Sequence, residues 1–271
     1  MAASISDIIT PRRDGESFRL DVPPGWRQGR GAFGGLSVGA AVRAIELRVG
    51  DPRRKVRSVT AELAAPVEAG SAEIAVDVLR GGSSVTVARA ALIQAGETRT
   101  HAVAVLAASR PAAGALAWCE LEPPRAPPWR QVEPMAIAAP GLPAEFTPEF
   151  ARHFEYRLVE GVPLSGGAAR CVGWIRPAVP SGLRDAGYLA ALADAWYPAT
   201  MVRVRELRPM ATIAFTLDLV GGLDGLDPEA PLLYRGTVPV CADGYFLETR
   251  ELWGEDGRLV AINQQTLAII A

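Results

Sequence analysis

The chain repeats one strand-and-helix pattern, and this repeat constrains the fold more than any other feature of the sequence. In the first copy, residues 31–49 place small and apolar side chains at helical spacing, between a glycine-rich opening and a Gly-Asp-Pro turn. Strand-like runs follow from Val56, from Ala72, from Val85 and over 101–109. The first copy is therefore predicted to be one helix followed by strands that short turns connect.

The second copy has the same order of elements. A helix is predicted over 187–204, and strands are predicted over 153–161, 169–178, 212–220, 231–241, 245–253 and 259–270. Pairing Thr60 with Thr216 aligns VTAEL with FTLDL, and pairing Gly96 with Gly257 aligns the last two strands of the copies. The sequence therefore indicates a duplicated module.

The segment between the copies, 111–148, differs from both in composition. It holds nine of the 22 prolines, which favours an extended linker. Its tryptophans, Trp118 and Trp129, are an alternative sign that it packs against a domain surface. The predicted organisation is an N-terminal domain at 1–110, this linker, and a C-terminal domain at 149–271.

Strands grouped around single helices predict an α+β fold in which an antiparallel sheet wraps each helix. Each copy alone would leave a sheet edge unpaired. We therefore expect the two sheets to join edge to edge into one continuous sheet.

Composition excludes several classes of function. The formal net charge is -2, so no strong field would attract nucleic acid. No apolar stretch approaches the ~20 residues of a membrane span, and the N-terminus does not resemble a signal peptide. The cysteines Cys119, Cys171 and Cys241 form no CxxC pair, as is typical of reduced thiols in a cytoplasm. With only His101 and His153 as histidines, a zinc site is not expected.

Comparing the copies singles out polar residues that only the second copy carries. Asp194 lies in the apolar helix sequence LAALADAW and aligns with Val38, and Gln265 aligns with Ala104. A buried carboxylate is costly unless it is paired or functional. A helix residue facing solvent and a core glutamine bound to backbone groups are the structural alternatives. Thr216 is less distinctive, because its counterpart is also a threonine.

A pair of glycines opens the predicted first helix. Backbone N–H groups at a helix N-terminus can stabilise an oxyanion, and glycine permits close approach of the backbone, so Gly34 and Gly35 are candidates for this role. A tight turn or close helix packing is the structural alternative.

Taken together, these sequences resemble the acyl-CoA thioesterase II type of the thioesterase-like superfamily. The resemblance covers nearly the whole chain and rests on FGGLSVGAAVRA, VLRGGSSVTVARAALIQAGE, VGWIRP, LAALADAWYP, ATIAFTLDL and GRLVAINQQ. It implies a tandem double hotdog fold and hydrolysis of acyl-CoA to a free acid and CoA. It also implies that the catalytic Asp, Thr and Gln of the family fall on Asp194, Thr216 and Gln265.

The resulting hypothesis is one active site per chain. Asp194 would act as general base, and Thr216 and Gln265 would help to hold a water against the thioester carbonyl, with no metal or cofactor. A non-catalytic acyl-thioester binding protein on the same fold is the alternative. A homo-oligomer of double-hotdog chains is an assembly that the resemblance allows.

Overall fold

The computed structural model of the protein describes residues 3–110, 116–136, 147–219, 221, 223, 227 and 229–270. Its α-helices are α1 (Ile5–Ile8), α2 (Gly34–Val49), α3 (Ala186–Asp194) and α4 (Thr200–Arg203). The strands of the N-terminal half are β1 (Arg12–Asp14), β2 (Ser17–Val22), β3 (Arg27–Gln28), β4 (Gly31–Ala32), β5 (Lys55–Leu63), β6 (Gly70–Gly81), β7 (Val85–Gln94) and β8 (Glu97–Ala107). Those of the C-terminal half are β9 (Phe154–Glu160), β10 (Arg170–Pro177), β11 (Met210–Asp218), β12 (Leu232–Ala242), β13 (Tyr245–Trp253) and β14 (Leu259–Ile269).

Twelve of these strands form one antiparallel sheet, in the order β1-β2-β6-β7-β8-β5-β11-β14-β13-β12-β10-β9. The order is the same for both halves when each is read outward from the centre, so the sheet reflects the duplication. At the centre, β5 pairs with β11 and Thr60 lies directly opposite Thr216. The predicted α+β class and the joining of two sheets at their edges are confirmed. The predicted domain boundaries at 110 and 148 both fall between β8 and β9.

The sheet encloses α2 and α3, which pack against each other at short distance. A Cβ added to Gly35 would lie 2.8 Å from the carbonyl oxygen of Ala191, and one added to Gly39 would lie 2.8 Å from that of Gly187. Any larger side chain at these points would push the two helices apart. This close contact brings the first turn of α2 to the last turn of α3.

The second predicted helix, 187–204, is interrupted in its middle. Helix α3 ends at Asp194, and α4 begins only at Thr200. Pro198 explains the break, because a proline cannot donate a hydrogen bond to the carbonyl four residues earlier, and its ring clashes with that carbonyl. The carbonyl in question is that of Asp194, so the helix terminates at the candidate base.

The described part of the predicted linker, 116–136, packs on the outer face of the C-terminal half of the sheet. Trp129 is buried, and the guanidinium of Arg157 lies 4.2 Å from its ring centroid. The indole of Trp174 donates a hydrogen bond of 2.9 Å to the carbonyl of Pro127. Trp118, in contrast, is 74% exposed. Of the two tryptophans, Trp129 anchors the segment, whereas the linker residues 111–115 and 137–146 lie outside the described residues.

The first 30 residues, to which the sequence pattern assigned no element, extend the sheet at one edge. Strand β2 pairs with β6, and β1 pairs with β2 as the outermost strand of that edge. Arg43 of α2 holds α1 in place by donating a hydrogen bond of 2.8 Å to the carbonyl of Ser6. Within the described residues, none of the helices is long and apolar enough to cross a membrane.

Candidate active site

Asp194 lies at the end of α3, against the first turn of α2, and is only 7% exposed. One carboxylate oxygen, Oδ2, accepts a hydrogen bond of 2.7 Å from the backbone N–H of Gly35. The other, Oδ1, accepts one of 3.0 Å from Nε2 of Gln265 and lies 3.6 Å from Nη1 of Arg250. The Asp194 carboxylate therefore accepts hydrogen bonds from both halves of the chain.

Gln265 is fully buried on the inner face of β14, directly opposite Phe215 of β11 and Glu248 of β13. Its Nε2 donates to Asp194 and also, at 3.0 Å, to Oδ1 of Asn263. Its Oε1 accepts a hydrogen bond of 2.8 Å from the hydroxyl of Thr212. Since both ends of the amide have partners, its orientation is determined by this network. The structure thus brings together two of the three residues expected from the resemblance.

The structure does not bring Thr216 to this cluster. Thr216 lies opposite Gln264, on the other face of the sheet, and its hydroxyl donates to the Gln264 carbonyl at 3.3 Å. The threonine beside Gln265 is Thr212. The pairing of β11 with β14 shifts register between Thr212 and Ala214, and this bulge turns Thr212 to the inner face. If side chains alternated strictly along β11, Thr212 would lie on the outer face together with Thr216. The sequence pattern therefore did not identify Thr212.

The paired glycines have a more specific role than the sequence suggested. The N–H of Gly35 is directed at Asp194, so in this structure it is not directed at a substrate oxygen. A Cβ on Gly34 would lie 3.0 Å from Oδ2 of Asp194 and would overlap the side chain of Leu63. Gly34 therefore allows the close approach of helix and carboxylate. As the first residue of α2, it has an N–H without an acceptor inside the helix.

A buried ion pair lies behind the carboxylate, and the sequence analysis did not identify it. Nε of Arg250 donates to Oε1 of Glu248 at 3.0 Å, and its Nη1 donates to the carbonyl of Ala193 at 2.9 Å. The remaining oxygen, Oε2 of Glu248, accepts from the N–H of Ala199 at 3.2 Å, and the hydroxyl of Tyr234 donates to Oε1 at 3.1 Å. Both charged groups are almost completely removed from solvent.

Burial raises the pKa of Asp194 above its usual range, because the ionised carboxylate loses its hydration. The positive charge of Arg250 is the strongest opposing influence on this pKa, followed by the hydrogen bonds from Gln265 and Gly35. A carboxylate with a raised pKa is a stronger base than an exposed one. Arg250 limits the increase and favours the ionised form.

The two halves of the sheet differ in residue type at the inner positions beside this cluster. In the C-terminal half, Phe215 lies opposite Gln265. In the equivalent strands of the N-terminal half, Val59 lies opposite Ala104. The same equivalence extends to the neighbouring strands. The polar residues Glu248, Arg250, Asn263 and Gln265 occupy the positions that the alanines Ala88, Ala90, Ala102 and Ala104 occupy in the N-terminal half. All eight residues are buried. At these four positions the C-terminal half is therefore polar and the N-terminal half is apolar.

The histidines lie in other environments. His101 is on β8, with Nδ1 at 3.1 Å from a carboxylate oxygen of Glu62. His153 stacks on Trp26 at 3.8 Å, and its Nε2 lies 2.9 Å from the carbonyl of Gly25. Among the residues that the structure describes, no three His, Cys, Asp or Glu side chains are grouped so that they could hold a metal ion.

Two family models match the chain over most of its length. Residues 22–108 match the acyl-CoA thioesterase N-terminal domain, and residues 120–269 match the acyl-CoA thioesterase C-terminal domain. The second match begins inside the predicted linker. No curated protein matches the sequence.

Solved structures with the same fold align over nearly the entire chain. A hotdog-fold protein of unknown function from Alicyclobacillus acidocaldarius is 25% identical, with a TM-score of 0.86, covering 100% of this chain and 99% of its own. An acyl-CoA thioesterase II from Mycobacterium marinum is 20% identical, with a TM-score of 0.75, covering 98% of each chain. A tesB protein from Mycobacterium avium subsp. paratuberculosis is 18% identical, with a TM-score of 0.78, also covering 98% of each. These likenesses confirm the predicted tandem hotdog fold.

Proposed function

The chain belongs to the acyl-CoA thioesterase family, and on this premise we propose that it hydrolyses an acyl-CoA thioester to a free acid and CoA. One observation carries the proposal. The carboxylate of Asp194, buried and shifted towards higher pKa, accepts a hydrogen bond from Gln265, whose own amide is oriented by Thr212. A basic carboxylate with an oriented polar partner is what activation of a water molecule requires.

In the proposed reaction, Asp194 accepts a proton from a water molecule while the water oxygen attacks the thioester carbonyl carbon. We assign the third role in the cluster to Thr212, and not to Thr216 as the resemblance implied. The Thr212 hydroxyl donates its proton in the hydrogen bond to Gln265, so the lone pairs of its oxygen can accept a hydrogen bond from the attacking water. Gln265 holds Asp194 and Thr212 in a common network.

The tetrahedral intermediate collapses by breaking the carbon–sulfur bond, and the proton held by Asp194 passes to the departing thiolate. Because a thiol has a pKa of about 8.5, its expulsion needs little help from an acid. The oxyanion would lie near the N-terminus of α2, where the helix dipole is positive. The N–H of Gly34 is our candidate donor, since that of Gly35 is directed at Asp194.

A non-catalytic acyl-thioester binding protein is the second candidate, and one observation favours it. Both oxygens of Asp194 already have hydrogen-bond partners, and both N–H bonds of the Gln265 amide are directed at oxygens. A carboxylate satisfied in this way is also what a purely structural role would produce.

Thiol release across a panel of acyl-CoAs of different chain length and branching separates the two candidates. Hydrolysis predicts release of free CoA on at least part of the panel, in proportion to enzyme concentration. Saturable binding of acyl-CoA without thiol release anywhere on the panel would support the binding protein and contradict the hydrolase.

A further inference from the structure

The structure contains a cavity of about 790 Å³ at the far end of the helix pair from Asp194. It lies beside the last turn of α2, the first turn of α3, and the ends of β5, β8 and β11 that meet there. Apolar walls include Val56, Leu183 and Leu219. Neither Asp194 nor Gln265 lines it. A volume of this size is typical of small-molecule sites.

The duplication relates this cavity to the candidate active site. At one end of the antiparallel helix pair, Asp194 of α3 contacts Gly35 at the start of α2. At the other end, Arg43 of α2 contacts Asp185 at the start of α3, with 2.7 Å between Nη2 and Oδ2. The second end is thus the counterpart of the first across the duplication, and it carries the ion pair of Arg43 and Asp185 where the first carries Asp194.

Cationic side chains predominate in the lining. Lys55, Arg57, Arg110 and Arg184 all line the cavity. The two acidic residues there oppose them weakly. Asp185 is paired with Arg43 and caps α3 by accepting from the N–H of Tyr188 at 2.8 Å. Burial, and next the charge of Asp185, raise the pKa of Glu46 to about 7, so this carboxylate is only partly ionised near neutral pH.

Arg184 is the most buried of the four cations that line the cavity. It is only 8% exposed, and its Nη2 donates to the carbonyl of Ala230. Its buried Nε has no hydrogen-bond partner among the residues that the structure describes. Because Arg184 lines the cavity, its guanidinium can form a further charge-assisted hydrogen bond with an anion bound there.

We propose that this cavity is a second binding site, for a ligand that carries a carboxylate or phosphate head group on an apolar body. The cations lining the cavity, above all the buried Arg184, would bind the head group, and the apolar walls would bind the body. This site is separate from the proposed catalytic cluster and does not depend on hydrolysis.

The test is calorimetric titration of the full chain with octanoate and with octyl phosphate, using octanol as the uncharged control. We expect saturable binding of at least one anionic probe at concentrations where octanol does not bind. Binding of octanoate alone identifies a carboxylate site, and binding of octyl phosphate alone identifies a phosphate site. Absence of saturable binding for both anions would overturn the proposal.

Variants locate the binding. Arg184→Met should weaken binding about tenfold or more, as expected when one charge-assisted hydrogen bond is lost. If that variant does not fold, Arg57→Gln and Ala108→Trp provide the test, since the first removes a charge and the second fills a partly exposed position in the wall. Asp194→Asn should leave the affinity unchanged. Unchanged affinity in both Arg57→Gln and Ala108→Trp, or loss of binding in Asp194→Asn, would contradict the proposed site.

Discussion

The hydroxyl of Thr212 donates a hydrogen bond of 2.8 Å to the side-chain carbonyl of Gln265, and this contact determines which way the buried amide faces. With Oε1 occupied by Thr212, the Nε2 group is directed at Asp194. A β-bulge makes the contact, because it turns Thr212 to the inner face of a strand whose next threonine, Thr216, points outward. One irregularity in pairing thus determines which threonine contacts Gln265.

Thr212→Val and Thr216→Val provide a matched pair on one strand. Thr212→Val removes the hydroxyl that orients Gln265, and we expect kcat for acyl-CoA hydrolysis to fall about 100-fold, as for a misplaced catalytic group. Thr216→Val should retain nearly normal kcat, because its hydroxyl bonds only to the Gln264 carbonyl. Steady-state thiol release on the same acyl-CoA measures both. A large loss of kcat in Thr216→Val with little loss in Thr212→Val would instead assign the role to Thr216.

Arg250 should control the acid limb of the pH–rate profile. A general base must be ionised, so activity falls as the pH drops through the pKa of Asp194, which burial raises and Arg250 lowers. Removing the positive charge with Arg250→Gln should therefore move this limb to higher pH, while Arg250→Lys should move it less. Arg89→Gln, which removes an exposed cation on β7, serves as the control. A limb that does not move in Arg250→Gln would show that another group titrates.

Glu248 and Arg250 should be strongly coupled in stability. Arg250→Met leaves the carboxylate of Glu248 buried without its partner, and we expect it to lower the free energy of unfolding by about 3–5 kcal/mol. In the double variant that combines Arg250→Met with Glu248→Gln, the loss of unfolding free energy should be smaller than the sum of the losses in the two single variants. Urea unfolding of the four proteins in this cycle measures the coupling. Additive losses would mean that the pair does not act as a unit.

Trp129 and Trp118 test whether the segment between the domains is part of the folded structure. Trp129→Ala should lower the free energy of unfolding by about 3–5 kcal/mol, because Trp129 fills a buried position against β9 and β10. Trp118→Ala should change it by less than about 0.5 kcal/mol, since Trp118 is exposed. Equal denaturant midpoints for the two variants would indicate that 116–136 contributes nothing to stability.

Much of the fold could be predicted from the sequence, because hydrophobic periodicity and the internal repeat both survive in the amino-acid order. The edge-to-edge joining of the halves followed from the sheet edge that each copy alone would leave unpaired. The aligned residues Thr60 and Thr216 lie opposite each other where the two edges meet. The helix over 187–204 was predicted too long, since its apolar pattern continues past the break that Pro198 imposes. The elements before residue 30 were not predicted, because they are short and the comparison of the two copies matched none of them with the opening strands of the second copy.

The site was predictable only where polar residues stand out against the repeat. Asp194 and Gln265 satisfy that condition, and the structure joins them. Thr212 does not, because its inward direction depends on a bulge that the periodicity of two does not show. Arg250 and Glu248 resemble ordinary alternating charges on a strand, and only their register against Asn263 and Gln265 shows that both face inward. Comparing the paired strands of the two halves would have found them, since their counterparts are alanines.

Turnover of acyl-CoA by Asp194→Asn tests the central claim most directly. The measurement is thiol release by the wild-type chain, by Asp194→Asn, and by Asp218→Asn, whose carboxylate is exposed on the outer face of β11. We predict hydrolysis by the wild-type chain and by Asp218→Asn, and loss of at least about 100-fold in Asp194→Asn with the unfolding transition retained. Near-normal turnover by a folded Asp194→Asn protein would contradict the assignment of Asp194 as the base.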